Sequence, residues 1–485
     1  MHVHVVAVAG TGMGALAGLL RELGHEVSGS DVAFDPPMGP ALAGWGVRCV
    51  PGFRAENLLP APDLVVVGNV CRKDNVEARA AIDGGLRTTH IAGALREFAL
   101  AGTSPLVVAG THGKTTTTAL AAWLLDATGR EPGFLIGGIP KGLGKSFRAA
   151  RPRRALPIGT GHAVARRTAF VIEGDEYDTA FFEKTAKFLH YGAEVAIVTS
   201  IEHDHVDIYP TLESYVEAFR RFVAGVPEHG LVVAHAGDPL VVEVVSKAAR
   251  APVAWYAVGG EPRADVPPHW LAEPAATDAS GTSFDLYAGG VMAGRFAVPL
   301  PGRHNVRNAV AALAACAQGH GVPLHELAPA LARFAGVKRR QDLIGEPRGI
   351  RIYDDFAHHP TAVKETLAAL RSRHPGARLW AVFEPRSATA CRAMHQAEYA
   401  AAFGAADRIL LAPLGRSNLL PSEALDLGRL ARTLSETGKP ALACASVDDI
   451  IGQLVAEAQP GDVIALLSNG AFGGIHARLL EALST

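Results

Sequence analysis

The run Gly110-Thr111-His112-Gly113-Lys114-Thr115-Thr116 has residue types and spacing that suit phosphate chemistry. Its two glycines let backbone N–H groups approach an anion closely. Lys114 can reach the outer phosphates of a nucleotide, and the Thr115 hydroxyl can hold a magnesium ion. An apolar, β-branched stretch precedes the run, and helix is expected from it to about Thr128, so bound phosphates would meet the positive end of a helix. The implied ligands are ATP and Mg2+. A standard phosphate loop has four residues between its glycines, whereas two separate Gly110 from Gly113. On pattern alone, a plain glycine turn with an exposed lysine stays open. It does not explain the threonines at 115–118, which weaken a first helical turn.

Two acid-rich segments follow. Glu173-Gly174-Asp175-Glu176-Tyr177-Asp178 comes after an expected strand at 169–172 and carries four carboxylates in six residues, a composition suited to a hard cation. A second expected strand, 195–199, runs into Ser200-Ile201-Glu202-His203-Asp204-His205-Val206-Asp207. A solvated acidic turn would explain either one, and a surface or capping role would explain His205. Both tips in one phosphate-loop unit favour magnesium.

A second glycine turn, Gly10-Thr11-Gly12-Met13-Gly14, lies between an expected strand at 3–9 and a helix at 15–23. With Ala15 it fits the G-x-G-x-x-A fingerprint, and Asp31 ends the next strand, where a ribose-binding acid would sit. The fingerprint serves NAD, FAD or any diphosphate nucleotide. Asn69 is the polar tip of a further strand, 63–67, and strand tips of open sheets carry ligands.

These residues need α/β units to hold them. Strands and helices alternate in three blocks: 1–103, Rossmann-like; 104–343, a phosphate-loop unit with a mostly parallel sheet and a β-rich extension over 231–298; and 344–485, a doubly wound parallel sheet. Residues 102–105 read as the first linker, and 141–165, rich in Arg, Gly and Pro, as a loop or hairpin. Asn305 is placed as the N-cap of a helix at 306–319, and Arg339-Arg340 could be a solvated basic loop. A length of 485 residues, 48% hydrophobic and 19% charged, accommodates three such cores. A net charge of −2 gives no electrostatic footprint for nucleic acid, and no apolar run is long enough for membrane insertion. The chain enters its first strand without a basic leader, and its five cysteines are scattered, so a cytoplasmic protein with reduced thiols is expected.

Three α/β units with a short phosphate loop opening the second resemble the Mur ligase family, ATP-dependent amide-forming enzymes of peptidoglycan synthesis. The resemblance rests on the loop, on Glu173 and His205, on Gly302-x-His304-Asn305-x-x-Asn308-Ala309, on Arg339-Arg340, and on Asp355-Phe356-Ala357-His358-His359-Pro360. It implies catalytic roles for Lys114, Glu173, His205 and Arg340. Thr115 and Glu173 would hold one magnesium, and His205 a second. Asn305 would contact adenine, Arg340 the γ-phosphate and Asp355 the ribose, with His358 close by. The first unit would bind a UDP-sugar through Gly10–Gly14, Asp31 and Asn69. Asp175-Glu176-Tyr177-Asp178-Thr179-Ala180-Phe181-Phe182, Phe383-Glu384-Pro385-Arg386-Ser387 and Ser468-Asn469-Gly470 look like members that recycle peptidoglycan by joining UDP-N-acetylmuramate to the murein tripeptide L-Ala-γ-D-Glu-meso-diaminopimelate. The alternative amine is L-alanine. Gly174 departs from the usual Ala, and Lys184-Thr185-Ala186-Lys187 from Lys-Arg-Ser-Lys, which removes an arginine beside the expected peptide site. Neither Lys184 nor Lys187 is expected to be carbamylated. The expected state is a monomer or weak dimer.

Overall fold

The computed structural model describes residues 1–151, 167–262, 265–278, 280–416 and 419–484. Three main sheets organise the chain. In the first, parallel strands run in the order Arg48–Pro51, Glu26–Asp31, His2–Val6, Leu64–Val67, Thr88–His90. Leu64–Val67 is buried throughout, as an unbroken apolar run in a sheet covered on both faces must be. The winding reverses between His2–Val6 and Leu64–Val67, the place where open parallel sheets bind ligands beyond their carboxyl ends. The glycine turn at 10–14 and Asn69 both follow these two strands.

The central sheet runs Val291–Val298, Gly281–Ala288, Trp270–Asp278, Val253–Val258, Leu231–His235, Val195–Val198, Ser104–Ala109, Ala169–Gly174, Gly133–Leu135, Phe147–Arg148. Pairing is parallel from Trp270–Asp278 through Gly133–Leu135 and antiparallel at both edges. Ser104–Ala109 is where its winding reverses, so the phosphate loop emerges at a switch point, between the strand tips that carry the acidic segments.

Several expectations are corrected. Ser104 and Pro105 belong to the central strand and are not linker; Pro105 sits near its start, where a missing donor is tolerated. The β-rich extension is narrower than expected. Most of its strands join the parallel sheet, and Pro239–Ala248 is a helix. Its valines favour strand, but Asp238 caps it through bonds to Leu240 and Val241 N, and Pro239 occupies N1. Asn305 is not an N-cap: the helix spans Arg303–Ala314 with Gly302 as cap at φ 97, and Asn305 Nδ2 donates to Pro301 O at 2.8 Å. Within 141–165, Phe147–Arg148 pairs with Gly133–Leu135 as a hairpin arm; residues 152–166 lie outside the described residues.

The third sheet runs Asp342–Gly345, Arg351–Asp355, Val463–Leu467, Leu379–Phe383, Arg408–Leu411, Ala441–Ala443, antiparallel only at its first strand. Separate apolar clusters cover its two faces, one under Pro360–Arg373 and Leu427–Glu436, the other under Val447–Glu457 and Ile475–Ser484. That is the expected doubly wound sheet. Phe147 ties the first unit to the central one. It is 1% exposed, stands edge-on to Trp45 at 4.8 Å, and fills the space a Cβ on Gly18 would take.

Candidate active site

The phosphate loop is held by the neighbouring strand tip. Gly110 and Gly113 both take positive φ, 134 and 80, and Gly113 caps the helix Lys114–Ala127. Thr111 N donates to Ser200 O, His112 N to Ser200 Oγ at 3.0 Å, and Thr199 Oγ1 to His112 O at 2.5 Å. Thr111 Oγ1 donates to Glu202 O and accepts from Glu202 N. The loop is thus shaped before any ligand arrives.

Lys114 lies across the loop's mouth, its Nζ 2.6 Å from Gly110 O and 3.0 Å from both carboxylate oxygens of Glu176. Burial pulls the ammonium's pKa down, but Glu176 and Asp175 more than offset this and raise it. Glu176 is fully buried. Burial would raise its pKa, yet Lys114 and His205 hold it at about 2. His205, at φ 53, points Nε2 at Glu176 Oε1 at 3.0 Å. One buried carboxylate therefore serves both Lys114 and His205. Glu176 was legible as part of the acidic run, but residue type alone could not separate its role from that of Glu173.

Glu173 occupies the next position along the cleft. Its Oε1 accepts from Thr115 Oγ1 and its Oε2 from Gly137 N, each at 2.5 Å. Burial, then the Asp175 charge, raise its pKa. A half-buried carboxylate beside a hydroxyl, with a second carboxylate destabilising its charge, fits a hard divalent cation by donor chemistry. Glu176 and His205 supply an adjoining pair of donors. Lys187 is committed elsewhere, to Asp175 at 3.3 Å.

The opposite wall comes from the third unit and the segment leading to it. Arg340 Nη2 reaches Thr115 Oγ1 at 3.0 Å, and its guanidinium stacks 4.9 Å from the Phe356 ring. Arg339 and Gln341, on either side, take φ 61 and 47, a conformation costing about 1–3 kcal/mol for each residue. Carboxylates hold it: Asp342 and Asp354 bind Arg339, and Asp355 accepts from Gln341 N at 2.7 Å and Ala357 N at 2.8 Å. Asp355 therefore braces the segment while lining the cleft. His358 Nδ1 contacts Phe356 O at 3.0 Å, and burial lowers its pKa against the pull of Asp204.

A cleft of about 610 Å³ brings together Gly113, Thr115, Thr116, Asn305, Arg340 and Asp355. An adjoining cavity of about 960 Å³ shares His112, Gly113, His304, Asn308 and Glu365 with it. Glu202 spans the two walls. It meets His112 Nε2 at 3.2 Å and Thr361 Oγ1 at 2.8 Å, and although burial opposes this, His112 holds its pKa at about 2. It was legible as part of the second acidic segment, but residue type alone gave it no role between the walls.

The first unit's candidates cluster separately. Gly10 and Gly12 have open space where a Cβ would stand, apart from Ile91 at 3.7 Å, while Gly14 is crowded by Met38. Met13 is buried, whereas Thr11 and Asn69 are exposed. Asp31 binds Ala9 N at 2.8 Å and Val32 N at 2.7 Å, so it shapes the turn. Among the described residues, no helix is long and apolar enough to cross a membrane.

Comparison with known proteins gives a consistent result. Three consecutive stretches match family descriptions: "Mur ligase family, catalytic domain" over 2–103, "Mur ligase middle domain" over 108–316 and "Mur ligase, glutamate ligase domain" over 339–470. The chain is 37% identical over 485 residues to the UDP-N-acetylmuramate--L-alanyl-gamma-D-glutamyl-meso-2,6-diaminoheptandioate ligase of Escherichia coli (strain K12), covering 100% of this chain and 98% of that protein. It is 35% identical over 492 residues to a UDP-N-acetylmuramate--L-alanine ligase of Rhizobium etli, covering 99% and 97%. The crystal structure of a murein peptide ligase from Psychrobacter arcticus 273-4 superposes with a TM-score of 0.73 at 35% identity, covering 100% of this chain and 99% of that one.

Proposed function

The chain belongs to the Mur ligase family of ATP-dependent amide-forming enzymes, and from that premise we propose that it joins the lactyl carboxylate of UDP-N-acetylmuramate to the free amine of L-Ala-γ-D-Glu-meso-diaminopimelate. The observation that carries the ligase chemistry is the convergence of Glu173 and Arg340, 58 and 225 positions away, on the Thr115 hydroxyl next to Lys114, in a cleft that Thr115 and Arg340 line. The choice of amine is supported by the full-length relatives named for that tripeptide.

A carboxylate is a poor acylating agent, so ATP must first activate it. The sugar acid's carboxylate attacks the γ-phosphorus, ADP leaves, and an acyl phosphate forms. The tripeptide amine then attacks the acyl carbon, phosphate departs with its bonding electrons, and the nitrogen gives up its extra proton to solvent or to the departing phosphate. Both steps gather negative charge, so positioning and electrostatic stabilisation supply most of the catalysis. Lys114 turns from Glu176 to the phosphoryl oxygens, and Arg340 approaches them from the opposite wall. Thr115 and Glu173 would hold a magnesium ion, with His205 and Glu176 beside a second; bound there, magnesium neutralises phosphate charge. Asn305 and Asp355 are proposed to hold the adenosine, with His358 nearby. Gly10–Gly14, Asp31 and Asn69 would hold the UDP end. The three units, 1–103, 104–343 and 344–485, thus contribute sugar acid, ATP and amine sites, and closure of the third excludes water from the acyl phosphate.

The test is phosphate release with ATP, Mg2+, UDP-N-acetylmuramate and either the tripeptide or L-alanine. Faster turnover with L-alanine would overturn the choice of amine, and no release with either would overturn the ligase assignment.

A further inference from the structure

Away from the cleft, three side chains from two units converge. His90 ends the strand Thr88–His90 of the first sheet. Glu183 begins the strand Glu183–Ala186, and His190 ends the turn Lys187–His190 that follows it. His90 Nε2 lies 3.0 Å from Glu183 Oε2, and His190 Nε2 lies 3.5 Å from Glu183 Oε1. The imidazole centroids are 4.9 Å apart with the rings at 70°. His90 is 6% exposed, His190 19% and Glu183 42%, so the nest is closed behind the rings and open at the carboxylate.

One ligand atom from each residue lies within 4.8 Å of the others. Tetrahedral zinc with bonds near 2.0 Å spaces its ligands by about 3.3 Å, so small side-chain rotations close the set around an ion. Two imidazoles with one carboxylate favour a zinc-type ion over magnesium or calcium, which prefer all-oxygen sites. We propose that His90, Glu183 and His190 bind a zinc-type divalent transition metal that clamps the first unit to the central one.

Thr185 Oγ1, 2.8 Å from His190 Nε2, is the group the metal displaces. His90 Nδ1 accepts from Gly93 N at 3.2 Å and so caps the helix Ile91–Leu95. That bond puts the ring proton on Nε2, so ligation moves the proton to Nδ1 and sacrifices the cap. A lost cap lowers affinity by about fivefold, a small debit against three metal–ligand bonds. The hairpin that carries Glu183 follows Glu176 directly, so the clamp fixes the position of that strand tip relative to the UDP-sugar unit.

The experiment uses the full chain, stripped with a chelator and returned to excess Mg2+ to fill oxygen sites. Cobalt(II) is titrated by visible absorption, and zinc by calorimetry and melting temperature. Expected are one ion per chain, tetrahedral cobalt bands, a rise in melting temperature with zinc, and affinity weakened by about 100-fold in Glu183→Gln and His190→Gln. Glu183→Gln is the variant least exposed to misfolding, and its melting temperature without metal should match the parent. Absence of binding by the parent overturns the proposal. So does undiminished binding in the His90→Gln/His190→Gln double variant, because it would place the ion at the His112, Glu202 and His359 cluster of the cleft.

Discussion

Replacing Glu176 by glutamine tests the centre of the site. The side chain is fully buried and is the carboxylate nearest Lys114 Nζ, with both oxygens at 3.0 Å. Glutamine keeps the shape and removes the charge, leaving a largely buried ammonium with Gly110 O and one amide oxygen as acceptors. Removing one partner of a buried pair costs about 3–5 kcal/mol, and the surviving amide contact puts the expected loss near the lower end, about 3 kcal/mol. For a unit of the central domain's size, each kcal/mol moves the melting temperature by about 2–4 °C, so nucleotide-free Glu176→Gln should melt about 6–12 °C below the parent. MgATP should reverse much of this. Its phosphates give Lys114 a new counter-charge, and the variant has no internal anion competing for it, so the rise induced by MgATP should exceed that of the parent. Thermal melting with and without MgATP reads both effects. Equal nucleotide-free melting temperatures, or equal rises with MgATP, would refute the role of Glu176 as the resting partner of Lys114.

Lys114→Ala should lower phosphate release by about 10²–10³-fold or more, while UDP-N-acetylmuramate binding, measured by calorimetry, stays within about twofold because the two sites lie on different sheets. Phe147→Ala should cost about 3 kcal/mol or more through the cavity left against Gly18 and Trp45; a loss below about 1 kcal/mol in urea denaturation would show that the ring is not an interdomain anchor. Stability should fall on acidification. Burial, with Arg307, holds His235 and His304 at about 3, so below the unfolded value of about 6.5 the unfolded chain takes up protons that the folded one refuses, costing up to about 1.4 kcal/mol per pH unit for each. Urea midpoints from pH 7 to pH 5 should track this, and His235→Phe, which can keep the stack on Tyr256, should flatten the slope.

The parts of the site most legible in the sequence were those whose chemistry is local. A glycine pair followed by lysine and threonine works through its own backbone, so Gly110–Thr116 could be read without its surroundings. The helix Pro239–Ala248 was missed for a converse reason. Its valines carry strand propensity, and the decisive signals are the Asp238 cap and Pro239. Asn305 was misplaced because a capping residue type also serves inside a first turn when its amide finds a backbone carbonyl.

The acidic strand tips, the loop and the three-unit order were therefore set by residue type and periodicity, which depend on neighbours a few positions away. Tertiary structure decided the pairings. It put Glu176 on Lys114, left Glu173 to Thr115, and turned Asp31 and Asp355 toward backbone amides that shape their turns. It also brought Arg340, in the segment leading to the third unit, to Thr115. Which carboxylate of a cluster faces a given cation depends on strand register, on the turn beyond the strand and on how two sheets meet. Those are set by packing over hundreds of residues, while the types of residue available to meet there are written in the chain itself.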